Sequence, residues 1–362
     1  MGCRALVLGC GSSGKAAAAE LRRRGLSVEF AEGFDIVVAS PGVPVKSELQ
    51  LGCEELKRRG WKLVAVTGSK GKSSVVKAVA DAINLAGGRA VPCGNYGRPV
   101  CDLIGEEPGW AIVEVSSFQL ETTQLAAGTF EAAALLNVQE DHLDRHGDIS
   151  AYYALKRRIA SMSKVFFESD PLVDGLDGLV AGSYFDNQIL LANGAYAVAL
   201  MRVAGLDDAQ IRRAFACFEP LPHRFQLVCE SDGVRFVDDS KATSIAALVA
   251  GVAMCGSSPV RLIAGGLLKG DDPKNALPIL TERVKKVYLI GQGAETLCSA
   301  WKDAADCEVC GTLDRAVECA KRDAVKGETV LLSPGAASFD QFENFEVRGD
   351  AFAGLAKKEG KK

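Results

Sequence analysis

The chain alternates between short apolar runs that stop at glycine, serine or asparagine and longer stretches whose apolar residues recur at helical spacing. The first pattern predicts buried strands and the second predicts helices packed over them. At the start, Arg4 to Leu8 predicts a strand, Gly9, Gly11 and Gly14 a tight turn, and the stretch through Arg24 a helix. Val28 to Ala31 and Asp35 to Ala39 predict two more strands. Further on, strands are expected over Leu63 to Val66, Ala111 to Val115 and Ala132 to Asn137, with helices over Ser73 to Leu85, Ala151 to about Ala160 and Leu191 to about Ala204. The Gly- and Asp-rich stretch from Ser169 to Ser183 reads as loop or short strands. A boundary falls near Leu221-Pro222-His223-Arg224. Beyond it, Val234 to Val237, Val260 to Ala264, Lys286 to Ile290 and Thr329 to Leu332 each predict a strand ending in a small or polar loop. Such alternation implies an α/β fold, with mostly parallel sheets flanked by helices and the loops gathered at the strand-end edge.

Composition narrows the class. A chain of 362 residues exceeds one ordinary core, so more than one domain is expected. The net charge of −4, with both signs interspersed, leaves no basic face and argues against nucleic acid as a partner. No basic lead and no long apolar run opens the chain, so neither export nor membrane insertion is expected. The 12 cysteines are scattered through apolar patterns and read as reduced, mostly buried thiols. Cys307-x-x-Cys310 has no second pair and no nearby histidine, so packing is preferred over zinc.

Several loops carry candidate chemistry. The turn with Gly9, Gly11 and Gly14 opens a helix, which suits a small domain gripping a diphosphate better than a full dinucleotide site. After the strand Leu63 to Val66 comes TGSKGKSS. There Gly68 and Gly71 let amides face phosphate oxygens, Lys72 neutralises the β and γ phosphates, and Ser73 can ligate magnesium. Val66 stands where the longer phosphate-loop pattern has its first glycine. Glu114 is a carboxylate inside an apolar strand and needs a cation. His142 follows a buried strand, where ligands collect in α/β sheets. Lys156 looks like an ordinary helical lysine. Lys241, Lys269 and Ser338 follow three strands of the last block and would converge on an anionic substrate.

Five segments together resemble the Mur ligase family: GSKGKSS, VEVSSFQLETT, LLNVQEDHLDRH, LPHRF with DDSKATS, and LLSPGAASFDQFENFEVRGDAFAGLA. Within the family the likeness is to the members that add glutamate. The resemblance implies three domains. Residues 1–60 would form a reduced, Rossmann-like UDP-substrate domain, 61–220 a central phosphate-loop domain that binds ATP, and 221–362 a Rossmann-like domain for the amino acid and nucleotide. It implies an ADP-forming ligase that joins D-glutamate to UDP-N-acetylmuramoyl-L-alanine through an acyl phosphate, acting in the cytoplasm as a monomer in peptidoglycan precursor synthesis. The implied cofactors are ATP, Mg2+ and a CO2-derived carbamate on Lys156.

Matching positions carry the implied roles. Lys72, Lys156, His142 and Lys241 would serve catalysis. Gly68, Ser69, Lys70, Gly71, Lys72, Ser73, Ser74, Asn193, Arg224 and Asp239 would hold ATP, and Ser73, Glu114, His142 and carbamylated Lys156 the metal. Gly9, Ser12, Ser13, Glu32, Asn95 and His142 would hold the UDP substrate, and Thr243, Lys269, Ser338, Phe339 and Phe345 the glutamate. Four departures stand out: a first domain shortened after Glu32, a GxHNxxN stretch near adenine reduced to Asn193 with Ile189 and Leu190 in place of its histidine and first asparagine, Lys70 in place of the usual Asn, and Phe339 in place of a smaller apolar residue. A folylpolyglutamate-type ligase would share the loop and the lysine, but SSFQLE and DSKAT speak against it. An inactive nucleotide-binding regulator is the rival of another class.

Overall fold

The computed structural model describes residues 4–32, 46–139, 143–169 and 171–358. The strand expected over Asp35 to Ala39, and His142, lie outside the described residues. The chain divides into two compact units, residues 1–186 with 190–218 and residues 187–189 with 219–362.

The first unit opens with β1 (Arg4–Leu8), α1 (Ser12–Arg23) and β2 (Ser27–Ala31), a parallel βαβ start. Next comes α2 (Glu48–Arg58), which the sequence reading did not place. The Ser47 side chain caps it by accepting from the Gln50 amide. There follow β3 (Lys62–Thr67), α3 (Lys72–Leu85), β4 (Ala90–Gly94), β5 (Trp110–Glu114), α4 (Ser117–Thr122) and β6 (Phe130–Leu135). The unit ends with α5 (Leu143–His146), α6 (Ile149–Arg157), β7 (Ser163–Glu168), α7 (Leu176–Val180), α8 (Leu191–Val203) and α9 (Asp208–Ala216). Its five-stranded sheet runs β4-β5-β3-β6-β7, parallel throughout. Leu63, Val64, Ala65 and Val66 are wholly buried, as a central parallel strand covered on both faces requires. Ala16 and Ala17 of α1 share one apolar core with Leu49 and Leu56 of α2 and Ala111 of β5. Where strands or loop were expected over Ser169 to Ser183 the structure has α7, because Leu179 and Val180 are buried and need a helical face to reach the interior.

The second unit comprises β8 (Gln226–Ser231), β9 (Val234–Asp238), α10 (Ile245–Met254), β10 (Val260–Gly265), α11 (Leu277–Arg283) and β11 (Val284–Ile290). It continues with α12 (Ala294–Trp301), β12 (Asp306–Gly311), α13 (Leu313–Asp323), β13 (Thr329–Leu332) and α14 (Phe345–Lys357). Its sheet runs β12-β11-β10-β13-β9-β8. The four expected strands are the parallel centre, and two edge strands extend it. Of these, β8 is antiparallel to β9. The turn that reverses it has positive φ at both Asp232 (53°) and Gly233 (75°), the geometry of a two-residue hairpin. Helices cover both faces, over separate apolar cores.

Candidate active site

In the first unit β3 leads into residues 68–71 and α3 leads out. Gly71 caps α3 at φ 83°, and a Cβ there would stand 2.5 Å from Nδ2 of buried Asn193, so only glycine fits. The opposite side of the loop is tied to the end of β6. The Ser69 amide donates to the Asn137 carbonyl (2.9 Å), the Lys70 amide to Asn137 Oδ1 (2.9 Å), and Asn137 Nδ2 to the Lys70 carbonyl (3.0 Å). Ser69 Oγ donates to the Gln139 carbonyl (3.1 Å) and accepts from its amide (3.0 Å). These hydrogen bonds tie the loop to its own chain. Ser73 and Ser74 lie buried in the first turn of α3.

Two ammonium groups meet on one carbonyl. Lys72 Nζ donates to Gly68 O (2.8 Å) and Ser69 O (3.1 Å), and Lys156 Nζ donates to the same Gly68 O (3.0 Å). Lys156 is 1% exposed, with its amine 4.5 Å from the centre of the Tyr152 ring. A lysine that reads as solvated in the sequence is thus among the most deeply buried side chains of the chain. Tyr152 stacks on His146 at 5.1 Å, and His146 Nε2 contacts Ser117 Oγ at 3.0 Å. Asn137, Tyr152 and His146 escaped the sequence reading. Asn137 could have been found from its place at a buried strand's end, but the other two needed the fold.

Glu114, the last residue of β5, pairs in register with Val66 of β3. It is 3% exposed. Oε1 accepts from Asn95 Nδ2 (2.8 Å), while Oε2 is buried with no hydrogen-bond partner among the described residues. An unsatisfied buried carboxylate oxygen is costly, and a cation removes the cost, so Glu114 and Ser73 fit a magnesium ion by their chemistry.

The first glycine turn is built differently. Gly9 has φ 86°, and its amide donates to Ala31 O (2.9 Å). A Cβ on Gly14 would stand 2.1 Å from Gly9 O, so the turn and helix touch at backbone distance. Ser12 is exposed and Ser13 half-buried. Glu32 Oε1 accepts from the Cys10 amide (2.7 Å). Hydrogen bonds from the Cys10 thiol and amide hold the Glu32 carboxyl below its ordinary range.

In the second unit the loops after β9, β10 and β13 are laced together. Gly265 N donates to Pro334 O (2.8 Å), Gly335 N to Ala242 O (2.8 Å), and Lys269 Nζ to Thr243 Oγ1 (3.4 Å). Lys241 Nζ lies 3.7 Å from the centre of the Phe345 ring. Ser338 is buried, whereas Phe339, its neighbour in sequence, is 68% exposed. Asp239 accepts from Ser333 Oγ (2.9 Å) and the Phe225 amide (3.1 Å), and burial pushes its carboxyl up to about 7. Arg224 is half-buried on a turn whose neighbours His223 (φ 60°) and Phe225 (φ 47°) are left-handed. His223 Nδ1 to Asp238 Oδ2 (2.7 Å) and the Lys241 amide to His223 O (3.0 Å) hold that strained turn against the end of β9. Arg348 escaped the sequence reading. It is 1% exposed and donates to Ser240 Oγ (3.0 Å), Ser240 O (2.9 Å) and Ala336 O (3.2 Å), bracing the loops from beneath.

Residues 66–171 match the model of the Mur ligase middle domain, and residues 223–335 match that of the Mur ligase glutamate ligase domain. The chain is 32% identical to the UDP-N-acetylmuramoylalanine--D-glutamate ligase of Acidobacterium capsulatum over 452 aligned positions, covering 98% of this chain and 96% of that one. It is 30% identical to the ligase of the same name from Chlamydia caviae, covering 97% of both chains. Because 452 positions exceed the 362 residues present, the Acidobacterium enzyme carries insertions that this chain lacks. Among solved structures, the UDP-N-acetylmuramate-alanine ligase of Thermotoga maritima superposes with a TM-score of 0.62 at 16% identity, covering 97% of this chain and 98% of that one. The MurF ligase of the same organism, solved with ADP, gives 0.61 at 16%, covering 98% and 94%. These two likenesses concern the fold.

Proposed function

This chain belongs to the Mur ligase family, and we propose that it is the ATP-dependent ligase that joins D-glutamate to UDP-N-acetylmuramoyl-L-alanine in peptidoglycan precursor synthesis. The full-length match to ligases of that name carries the reading. A free carboxylate has only a poor leaving group, so ATP first converts it to an acyl phosphate, and the amine of glutamate then displaces phosphate.

The first step brings a carboxylate to a triphosphate, and like charges must be offset. Lys72 and Lys241 contribute positive charge, and the amides of Gly68 to Gly71 line the phosphates. Mg2+, held by Ser73 and Glu114 with His142 and the carbamate of Lys156, neutralises phosphate charge when bound. The buried, unsatisfied Glu114 Oε2 supports this assignment. In the carbamate, CO2 would join Lys156 Nζ with loss of two protons, leaving an N–H to donate to Gly68 O and one negative charge shared by two oxygens. Asn193, Arg224 and Asp239 contact the nucleotide. Gly9, Ser12, Ser13, Glu32 and Asn95 take the UDP substrate, while Thr243, Lys269, Ser338, Phe339 and Phe345 orient glutamate so that its amine is aimed. Three domains, 1–60, 61–220 and 221–362, divide these tasks in a cytoplasmic monomer. Among the described residues no helix is long and apolar enough to cross a membrane.

Purified protein with UDP-N-acetylmuramoyl-L-alanine, ATP, Mg2+ and each enantiomer of glutamate tests the reading. Phosphate release that requires the nucleotide sugar and D-glutamate is expected. Intact ATP binding without such release would favour a regulator.

A further inference from the structure

The edge strand β12 carries Cys307 and Cys310 three residues apart, and the two face different cores. Cys307 packs into the core beneath α12, whereas Cys310 packs into the core beneath α13. That is the ordinary alternation of a strand, in which positions i and i+3 point to opposite faces. Cys310 thus turns away from Cys307 and toward Cys319 of α13, which contacts the carboxylate of Glu308.

We propose that Glu308, Cys310 and Cys319 form a site for a thiophilic divalent cation of the Zn2+ type, clasping the edge strand to α13. The donor atoms of the three residues all lie within 4.8 Å of one another, and Cys319 Sγ is 3.3 Å from Glu308 Oε1. A tetrahedral zinc ion with bonds of about 2.3 Å to sulfur and about 2.1 Å to oxygen has sulfur–oxygen edges of about 3.6 Å and sulfur–sulfur edges of about 3.8 Å. The cluster therefore needs only side-chain adjustment to close on an ion. Both sulfurs are buried, at 6% and 5% exposure, and Glu308 is half-buried. Three protein ligands leave a fourth position for water.

The surroundings are arranged as a metal site requires. Lys286 Nζ holds Glu308 Oε2 at 2.8 Å, which leaves Oε1 turned to Cys319. Arg322 reaches Cys319 Sγ (3.8 Å) through Nη1 and Glu308 Oε2 (3.7 Å) through Nη2. Two thiolates, one carboxylate and a divalent ion sum to one negative charge, which Lys286 and Arg322 offset. Burial pushes the Cys310 thiol up to about 12. Loading the ion forms two metal–sulfur bonds and one metal–oxygen bond and releases the two thiol protons to solvent.

The test uses the full chain, reduced and stripped with chelator, titrated with Co2+ as a spectroscopic substitute for Zn2+. One equivalent is expected to give a sulfur-to-cobalt charge-transfer band, which Zn2+ displaces. The band is lost in Cys310→Ser and Cys319→Ser and kept in Cys307→Ser. In Glu308→Gln it persists with affinity reduced about tenfold or more. The unaltered protein supplies a second readout that needs no variant: Zn2+ protects Cys310 and Cys319, and no other thiol, from alkylation mapped by mass spectrometry. Absence of the band, its survival in both serine variants, equal alkylation with and without Zn2+, or loss of the two thiols to a disulfide without a band would each overturn the proposal.

Discussion

Two glycine turns in the first unit join a parallel strand to a helix, and both read in the sequence as phosphate grips. The turn between β3 and α3 is enclosed by Asn137 on one side and Asn193 on the other, with Lys72 and Lys156 both donating to Gly68 O. The turn between β1 and α1 has Glu32 across its mouth, accepting from the Cys10 amide, and Ser12 and Glu32 are exposed. The first turn described holds its shape through buried groups and offers positive charge. The second presents a negative charge and one serine to solvent. Similar glycine spacing thus builds a buried, positively charged cradle in one place and an exposed surface in the other. The difference lies in residues far away in sequence.

The contrast breaks most visibly at the cradle. Lys72→Ala is expected to lower the rate of substrate-dependent phosphate release by about 10³-fold or more, because the lost charge acts in the transition state. A variant within tenfold of the parent would remove the cradle from the chemistry. Lys156→Ala should lower the rate by about 10²-fold, with partial recovery on adding short carboxylic acids that replace the carbamate oxygens. Failure of every such acid, with ATP binding intact, would leave Lys156 as a brace of Gly68 O only.

Local pattern made much of this legible. The strands at Arg4 to Leu8 and Thr329 to Leu332 match the expected bounds, and the phosphate loop lies between strand and helix as its glycines demand. The edge strands were not legible. The chain Gln226–Ser231 is short and interrupted by polar residues, and only pairing with β9 through the Asp232-Gly233 turn makes it a strand. Burial of charge was illegible for a related reason. Lys156 and Arg348 sit in helices whose sequence suits a solvated face, and only distant carbonyls, Gly68 for one and Ser240 and Ala336 for the other, satisfy them. The Cys307-x-x-Cys310 spacing by itself separates the two thiols, since strand positions i and i+3 face opposite sides; what the spacing hides is that Cys310 meets Cys319 of α13.

Smaller effects probe the first turn. Gly14→Ala puts a Cβ at 2.1 Å from Gly9 O, and backbone must move. The expected cost is about 1–3 kcal/mol in thermal or denaturant unfolding. KM for the nucleotide sugar should rise while KM for ATP stays constant. A matching rise in both would mean that the two turns are mechanically one device.

Glu32→Gln should have the smallest effect and give the sharpest contrast. The amide side chain still accepts from Cys10 but without charge, so KM for the nucleotide sugar is expected to change by about threefold with kcat preserved. Since the Cys10 donors hold the carboxyl below its ordinary range, the parent's KM should also be flat from pH 6 upward, with Glu32 already ionised. A fall in kcat at saturating substrate, as large as that of Lys156→Ala, would place Glu32 in the chemistry. The division between buried cradle and exposed recognition surface would then fail.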